Sequence, residues 1–354
     1  MMRKGFFSRP AAAAFVSWCV LVLAGKGARA FEIESPYSYG CHEHWAQEAL
    51  DEAGYVGEPP KLAGDDRYLF DAVEFDASFV DENIWAMSLV LGARSNDVGE
   101  YAILDIPHII EIHNGSDYQA AHCLRTGSQD YEEGDADAVE SCRDFIRRQI
   151  GLAFDAAGPD GSPDPSIREE VEVNLAHTGG RDVDLSSFYF HVGAAMHTLQ
   201  DSFSNCYRSA DRTGIVEAAN WIDWATENLD VERDGPGHDN AADDCRCDRD
   251  WGQPTFDAVS LVTKRLLEIV SMDASRTDRE AALEELLDAW VYHVPGCTAS
   301  NKYCASPDPG DIADSSCGFC ECSTHPCSEG NPVSRGFIVI VLAAIGMGMM
   351  RRRS

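Results

Sequence analysis

The chain has 354 residues, and its 60 acidic residues far outnumber its 28 lysines and arginines, so the formal net charge is −32. A surface this acidic repels polyanions, which argues against duplex nucleic acid as a partner. Between the two ends of the chain, which carry targeting features, lie enough residues for one large domain.

The first part of the chain, residues 1–30, has the layout of a secretory signal peptide. Basic residues precede the mostly apolar run Ala11–Ala24, and Ala28-Arg29-Ala30 fits an A-x-A-like cleavage site. The mature chain is therefore expected to begin at Phe31, the first residue of a helical metal-binding domain predicted over residues 31–295. Export also predicts disulfides among the remaining cysteines, with Cys123 and Cys142 as one candidate pair.

Helical patterns dominate this domain, and strand-like alternation is scarce. We therefore predict an all-α, multi-helix bundle with long acidic loops. In chain order, the predicted helices are His42–Ala53, Ile84–Gly92, Ala138–Ala157, Ser166–Ala176, Leu185–Tyr207, Gly214–Leu229, Pro254–Met272 and Ala281–Tyr292.

The helix predicted over Leu185–Tyr207 carries the most informative pair of side chains. His197 and Asp201 are four residues apart, so they lie on one face of a helix, one above the other. An imidazole and a carboxylate placed in this way can both bind one metal ion, or a pair of ions. The alternative is a buried ion pair that only stabilises a bundle. Gly193 and Ala194 leave one side of this helix thin, so a neighbouring helix can come close.

Other residues that could complete a metal site lie in separate segments of the chain. Two histidines open the first predicted helix, one aspartate follows the second helix, and the rest lie before the third helix or in a late acidic loop. These candidates are His42, His44, Asp97, His108, His113, His122, His238 and Asp243.

The C-terminal part is predicted to comprise a Cys-rich linker, residues 296–334, and a hydrophobic segment, residues 335–354. The apolar stretch Gly336–Met350 is short for a membrane span, which needs roughly 20 residues, and Arg351-Arg352-Arg353 follows it. With the upstream cysteines, this layout resembles the C-terminal sorting signals of myxobacterial surface proteins. The resemblance implies sorting machinery as a partner, membrane attachment through the tail, and a place on the surface or outer membrane of a Gram-negative bacterium, or release after processing. A plain single-pass anchor is the alternative.

The order His44, Asp97, a middle histidine and then His197-Thr-Leu-Gln-Asp201 resembles the zinc-dependent phospholipase C superfamily, which includes the fungal single-strand nucleases. That family has His-Tyr-x-x-Asp on a central helix and uses the amino group of an aromatic first residue as a zinc ligand, which matches Phe31. The resemblance implies a bundle of the same type. The metal ligands that it implies are Phe31, His44, Asp97, His113 or His122, His197, Asp201, His238 and Asp243.

Two positions depart from the family pattern. Asn205 stands where a further histidine ligand is expected. The family ends with His-x-x-x-Glu, whereas His238 is followed by Asp243 one residue beyond that spacing, which suits a loop. The resemblance therefore implies two or three zinc ions, or fewer because of Asn205.

The chemistry implied by the resemblance is phosphoester hydrolysis, with water activated by zinc as the nucleophile. Asp97 would orient or deprotonate that water, and Asp201 would bridge two metals. Phospholipid headgroups or small phosphodiesters are the expected substrates. Two alternatives stay open: a catalytically degenerate member that acts as a surface binding or adhesion module, which Asn205 favours, and a calcium-stabilised structural protein, which the acidic loops Asp155–Asp164 and Asp230–Asp244 favour.

Overall fold

The computed structural model describes residues 40–61, 83–99, 106–126, 131–175, 179–225 and 252–306. The predicted signal peptide, the hydrophobic C-terminal segment and three of the predicted ligands, Phe31, His238 and Asp243, lie outside these residues. Within them, no helix combines the length and the apolar character that a membrane crossing needs.

The described part of the chain is mostly helical, as the all-α prediction requires at this coarse level, and it adds two short β-hairpins. The elements in chain order are α1 (Cys41–Ala53), α2 (Ile84–Val98), α3 (Ile106–Asn114), a 3-10 turn (Gln119–His122), α4 (Tyr131–Asp155), β1 (Arg168–Leu175), β2 (Gly179–Ser186), α5 (Ser187–Ser204), β3 (Cys206–Arg208), β4 (Ile215–Ala218), α6 (Trp221–Ala225), α7 (Gly252–Val270), α8 (Arg276–Trp290), a second 3-10 turn (Ala299–Asn301) and α9 (Lys302–Ala305), a single left-handed turn.

The helix predicted over Ser166–Ala176 is wrong, because Arg168–Leu175 within this range form β1. The strand pairs antiparallel with β2, and Val171 lies opposite Val183. Its sequence, Arg-Glu-Glu-Val-Glu-Val-Asn-Leu, alternates between charged or polar residues and β-branched or apolar ones, which favours a strand over a helix. On the other face, acidic side chains lie directly opposite one another across the hairpin. These pairs are Glu170 with Asp184, and Glu172 with Asp182.

The helix predicted over Gly214–Leu229 is also wrong in its first part. Ile215 and Val216, both β-branched, lie in β4, which pairs antiparallel with β3. The helix α6 begins only afterwards, where the side chain of Asn220 accepts a hydrogen bond from the backbone N–H of Asp223 at 3.1 Å. An asparagine in this place satisfies a free N–H of the first helical turn, which fixes where the helix starts.

Helices α2 and α5 form the centre of the fold because glycines let their backbones approach closely. Gly193 lies against the backbone of Leu89 and Ala93, and a Cβ atom at Gly193 would collide with both. Gly92 lies in the same way against the backbone of Phe190. The face of α5 with small side chains, which the sequence predicts at Gly193 and Ala194, is therefore the face that contacts α2.

Hydrogen bonds between polar groups tie a third segment to this helix pair. The side-chain amide of Asn96 on α2 donates to the carbonyl oxygen of Ala194 and to the hydroxyl of Thr198 on α5, both at 3.1 Å. The Thr198 hydroxyl in turn donates to the carbonyl oxygen of Ala121 at 2.8 Å. The 3-10 turn that ends at His122 is thereby held against the two central helices.

The predicted disulfide between Cys123 and Cys142 is confirmed. It links the residue after the 3-10 turn to α4, with the two Cα atoms 4.8 Å apart. The outer helices complete the core: α4 packs against α5, and α7 packs against α1 and α5. The 3-10 turn is therefore fixed from two sides, by hydrogen bonds to the central helices and by a covalent bond to α4.

The chain continues to pack after α8. His293 forms a bridge with Ile215 of β4, and a second disulfide joins Cys297 to Cys304. Tyr303 is buried against the β3–β4 hairpin, where its ring lies 6.5 Å from that of Tyr207. The first residues of the segment predicted as a linker are therefore part of the folded body up to residue 306.

We expect Gly193→Ala to destabilise the protein by about 1–3 kcal/mol, because the new methyl group would push α2 and α5 apart. Gly151→Ala is the matched control, since a Cβ atom there meets nothing closer than 4.0 Å. Gly151 lies inside α4, four residues before its end, and this change should stabilise the protein by about 0.5–1 kcal/mol. Chemical denaturation of both variants measures the two effects, and a Gly193→Ala protein as stable as the parent would contradict the close packing.

Candidate metal centre

Six side chains with metal-binding groups meet at the centre of the described fold. They form three overlapping groups, and within each group the ligand atoms lie within 4.8 Å of one another. The groups are His42 with Asp97 and His197, Asp97 with His113 and His122, and His122 with His197 and Asp201. They come from α1, α2, α3, the 3-10 turn and α5, so the centre joins five segments of the chain. These six residues are called the His/Asp cluster below.

Three atoms of the His/Asp cluster lie close enough together to hold a small cation, and a fourth atom lies beside them. The Nε2 atom of His197 lies 2.9 Å from Asp201 Oδ2, 3.4 Å from His122 Nδ1 and 3.6 Å from Asp97 Oδ1. His122 Nδ1 lies 2.8 Å from Asp201 Oδ2 and 3.8 Å from Asp97 Oδ1. A tetrahedral zinc ion with bonds of about 2.0–2.1 Å holds its ligand atoms about 3.3 Å apart. The three atoms from His122, His197 and Asp201 could therefore hold one ion, and Asp97 Oδ1 lies beside the two nitrogens at 3.6–3.8 Å.

His42 extends this set toward α1. Its ring is fully buried and stacks on the His197 ring with the centroids 3.9 Å apart. Its Nε2 atom lies 3.3 Å from Asp201 Oδ1, whereas His122 and His197 face Asp201 Oδ2. Asp201 thus faces imidazoles through both of its oxygens, which is the arrangement that a carboxylate bridging two ions requires.

Burial and charge act in opposite directions on the protonation of His197 and Asp201. Burial by itself lowers the pKa of His197, but the carboxylates of Asp201 and Asp97 outweigh it and raise that pKa to about 9. Burial by itself raises the pKa of Asp201, but His197 and His122 outweigh it and hold that pKa well below its usual value. His197 therefore carries a proton at neutral pH, and any cation that binds at its Nε2 must displace that proton.

Asp97 and His122 also depart from their usual protonation. Burial would raise the pKa of Asp97, but the charges of His197 and the hydrogen bond from His113 lower it overall. Burial lowers the pKa of His122, and the hydrogen bond to Asp201 only partly opposes this. At neutral pH the cluster thus offers ionised carboxylates and a neutral His122, the forms in which both residue types bind metals.

The structure brings together five of the predicted ligands: Asp97, His113, His122, His197 and Asp201. His113 and His122 both belong to the His/Asp cluster, although the resemblance implies only one of them as a ligand. The Nε2 atom of His113 lies 3.2 Å from Asp97 Oδ1. His113 is also the most exposed member of the cluster, with 12% of its side chain accessible, and its ring lies 5.9 Å from that of Trp221.

His44 lies on α1 but belongs to none of the ligand groups in the described residues, whereas His42, two residues earlier, does. His44 is partly buried and His42 is completely buried. Both histidines open the same predicted helix, and two residues on a helix differ by about 200° in direction, so only one of them can face the centre. No feature of the sequence alone says which one does.

Asn205, which stands where the family has a histidine, has a different task in this structure. Its side chain is buried, and its Nδ2 group donates a hydrogen bond to the backbone carbonyl of His122 at 2.8 Å. Asn205 thus supports the backbone of a cluster residue from the end of α5. Within the described residues it belongs to none of the ligand groups.

The acidic loop Asp155–Asp164 does not form a ligand group within the described residues. Asp160 accepts hydrogen bonds from the backbone N–H and the hydroxyl of Ser162, and Asp164 accepts the same pair from Ser166. Short aspartate-to-backbone bonds of this kind stabilise turns. They account for two of the acidic side chains that suggested a calcium site.

Comparison of the whole chain with protein-family models, with curated proteins and with solved structures finds no match.

We expect His42→Ala to weaken zinc binding by about 10-fold or more, because it removes an imidazole that faces Asp201. His44→Ala, on the same helix, is the matched control and should change zinc affinity less. Competition titration against a chromogenic chelator measures both variants. A larger loss in His44→Ala than in His42→Ala would contradict the orientation of α1.

Zinc binding at pH 7 should release about one proton, because His197 is protonated there and must give up its proton to the ion. Zinc affinity should rise with pH up to about 9 and level off above it, where the number of released protons falls toward zero. Calorimetric titrations in two buffers with different ionisation enthalpies measure the released proton. Proton release that stays unchanged in His197→Ala would contradict the assignment to this residue.

Proposed function

We propose that this protein is an exported zinc-dependent phosphoester hydrolase of the phospholipase C-like type. The observation that carries the proposal is the convergence of His122, His197 and Asp201, whose ligand atoms lie within 3.4 Å of one another, with Asp97 Oδ1 at 3.6 and 3.8 Å from the two histidine nitrogens. Two histidines with two carboxylates form a mixed nitrogen and oxygen ligand set, which suits zinc better than calcium or magnesium.

Each residue of the proposed site has a separate role. His122, His197 and Asp201 would hold the ion, and the second oxygen of Asp201 together with His42 offers a place for another. A bound zinc ion supplies Lewis acidity and lowers the pKa of a water molecule beside it. The residues of the cluster then have to place that water and accept its proton.

Asp97 is the proposed proton acceptor. Its Oδ1 atom faces three histidines, while its Oδ2 atom is buried and has no hydrogen-bond partner among the described residues. The pKa of Asp97 is lowered, so the carboxylate is ionised at neutral pH and able to accept a hydrogen bond from water. Water oriented in this way would attack the phosphorus atom while Asp97 takes one of its protons. The ester P–O bond then breaks, and the leaving oxygen takes a proton from bulk water as Asp97 returns its proton to solvent.

Substrate approach is proposed from the side of His113 and Trp221, because His113 is the cluster member that solvent reaches most. The net charge of −32 disfavours long polyanions at this surface, so small phosphodiesters or phospholipid headgroups are the proposed substrates. Export and attachment at the cell surface remain proposals that rest on the two ends of the chain, outside the described residues.

The test is hydrolysis of bis(p-nitrophenyl) phosphate by the purified mature chain. We expect turnover that a zinc chelator abolishes and that added zinc restores. Asp97→Asn should lower kcat by about 100-fold or more while retaining most of the bound metal, since an amide cannot accept the proton. Asp144→Asn, an exposed change on α4, is the control and should leave kcat unchanged.

The outcomes separate the proposed function from its alternative. Zinc bound at the cluster without any turnover would favour a binding or adhesion module, the reading that Asn205 first suggested. A folded protein without bound transition metal, as measured by elemental analysis, would overturn both readings of the cluster.

A further inference from the structure

Gln200 is a buried polar residue of α5 that lies between His197 and Asp201 in the sequence and is not itself a ligand. Its side chain is completely buried. The Oε1 atom lies 2.6 Å from Nδ1 of His42, and the Nε2 group donates to the hydroxyl of Thr263 on α7 at 3.2 Å. Gln200 therefore connects α5 to α1 on one side and to α7 on the other.

The chemistry of the two groups determines which nitrogen of His42 carries the proton. A neutral imidazole has one N–H donor and one acceptor nitrogen, and a cation binds only the acceptor. The amide oxygen of Gln200 can only accept, so the His42 nitrogen that faces it, Nδ1, must carry the proton. Nε2 is then the nitrogen left for a cation; it lies 3.3 Å from Asp201 Oδ1, and an ion between the two has to displace any proton that Nε2 shares with this carboxylate.

The same logic operates at the neighbouring ring with a backbone partner. Nδ1 of His197 donates to the carbonyl oxygen of Ala93 at 2.6 Å, and its Nε2 faces the cluster. Partners of this kind fix the tautomer and orientation of metal-binding histidines. His197 obtains that partner from the backbone of α2, whereas His42 depends on a side chain that a substitution can remove.

We propose that Gln200 is a positioning residue that holds His42 in its Nδ1–H tautomer and thereby directs Nε2 toward the metal centre. The inference rests on the proposed metal-binding function of the cluster. Because Gln200 also bonds to Thr263, the orientation of His42 depends on the packing of α7. The sequence Leu199-Gln200-Asp201 thus places a ligand and the support of another ligand on adjacent residues.

The experiment compares two nearly isosteric variants of the full mature chain. Gln200→Glu keeps an oxygen that accepts from Nδ1, and it should retain zinc affinity within a few-fold of the parent. Gln200→Met keeps the volume but removes the acceptor, and it should weaken zinc binding by about 10–100-fold. Thr263→Val leaves the Gln200 oxygen in place and should lie between the parent and Gln200→Met.

A double-mutant cycle separates positioning from simple packing. If Gln200 acts through His42, Gln200→Met should have no further effect on zinc affinity in a His42→Ala background. A full additional loss in that background would show a structural role and overturn the proposal. Equal affinities of the parent and Gln200→Met would overturn it as well.

Nitrogen-15 NMR of the parent protein reads the tautomer of His42 directly, even where a variant does not fold. We expect the proton on Nδ1, with the assignment confirmed by loss of the signals in His42→Ala. An Nδ1 atom without a proton would overturn the inference. Absence of zinc binding in the parent would instead overturn the proposed function, and the tautomer measurement would still decide the bond between Gln200 and His42.

Discussion

The close approach of α2 and α5 is the constraint on which the rest of the described structure depends. Gly92 and Gly193 each lie where a side chain would collide with the backbone of the other helix. At this separation the carbonyl oxygen of Ala93 reaches the His197 ring, and the amide of Asn96 reaches α5. Asp97, one residue further along α2, is carried into the cluster by the same contact. Helix packing and site geometry are therefore one feature.

Burying several ionisable groups together is costly unless the charges compensate one another. In the cluster, carboxylates from α2 and α5 share imidazoles from several segments, and a proton on His197 offsets part of their negative charge. A divalent cation can take over that task with shorter bonds. The ion pairing seen here and metal binding are consequently two uses of one charge pattern, and the spacing of the ligand atoms supports the second.

The sequence predicts the centre of the site better than its edges. The helical spacing of His197 and Asp201 and the thin side at Gly193 depend on local periodicity, which a sequence displays directly. The choice between His42 and His44 depends on the rotation of α1 against α5, a tertiary property that neighbouring residues do not encode. The inclusion of both His113 and His122 likewise follows from how two connecting segments pack.

The misassigned helices have a local reason. In β1, acidic residues alternate with Val171 and other apolar positions, and the abundance of glutamate, a good helix former, conceals the period of two. In β4, only a few residues separate the strand from α6, so the apolar pattern of the two elements looks continuous. The local pattern of both segments favours a helix, whereas pairing with a neighbouring strand makes them strands.

The disulfide between Cys123 and Cys142 gives the site a dependence on redox conditions. Cys123 directly follows His122, so the covalent bond to α4 restricts the backbone that presents this imidazole to Asp201. With free thiols, the 3-10 turn would rely on hydrogen bonds alone, and its extra conformational entropy would oppose assembly of the centre. The disulfide therefore lowers the entropic cost of gathering the ligand side chains around a common point.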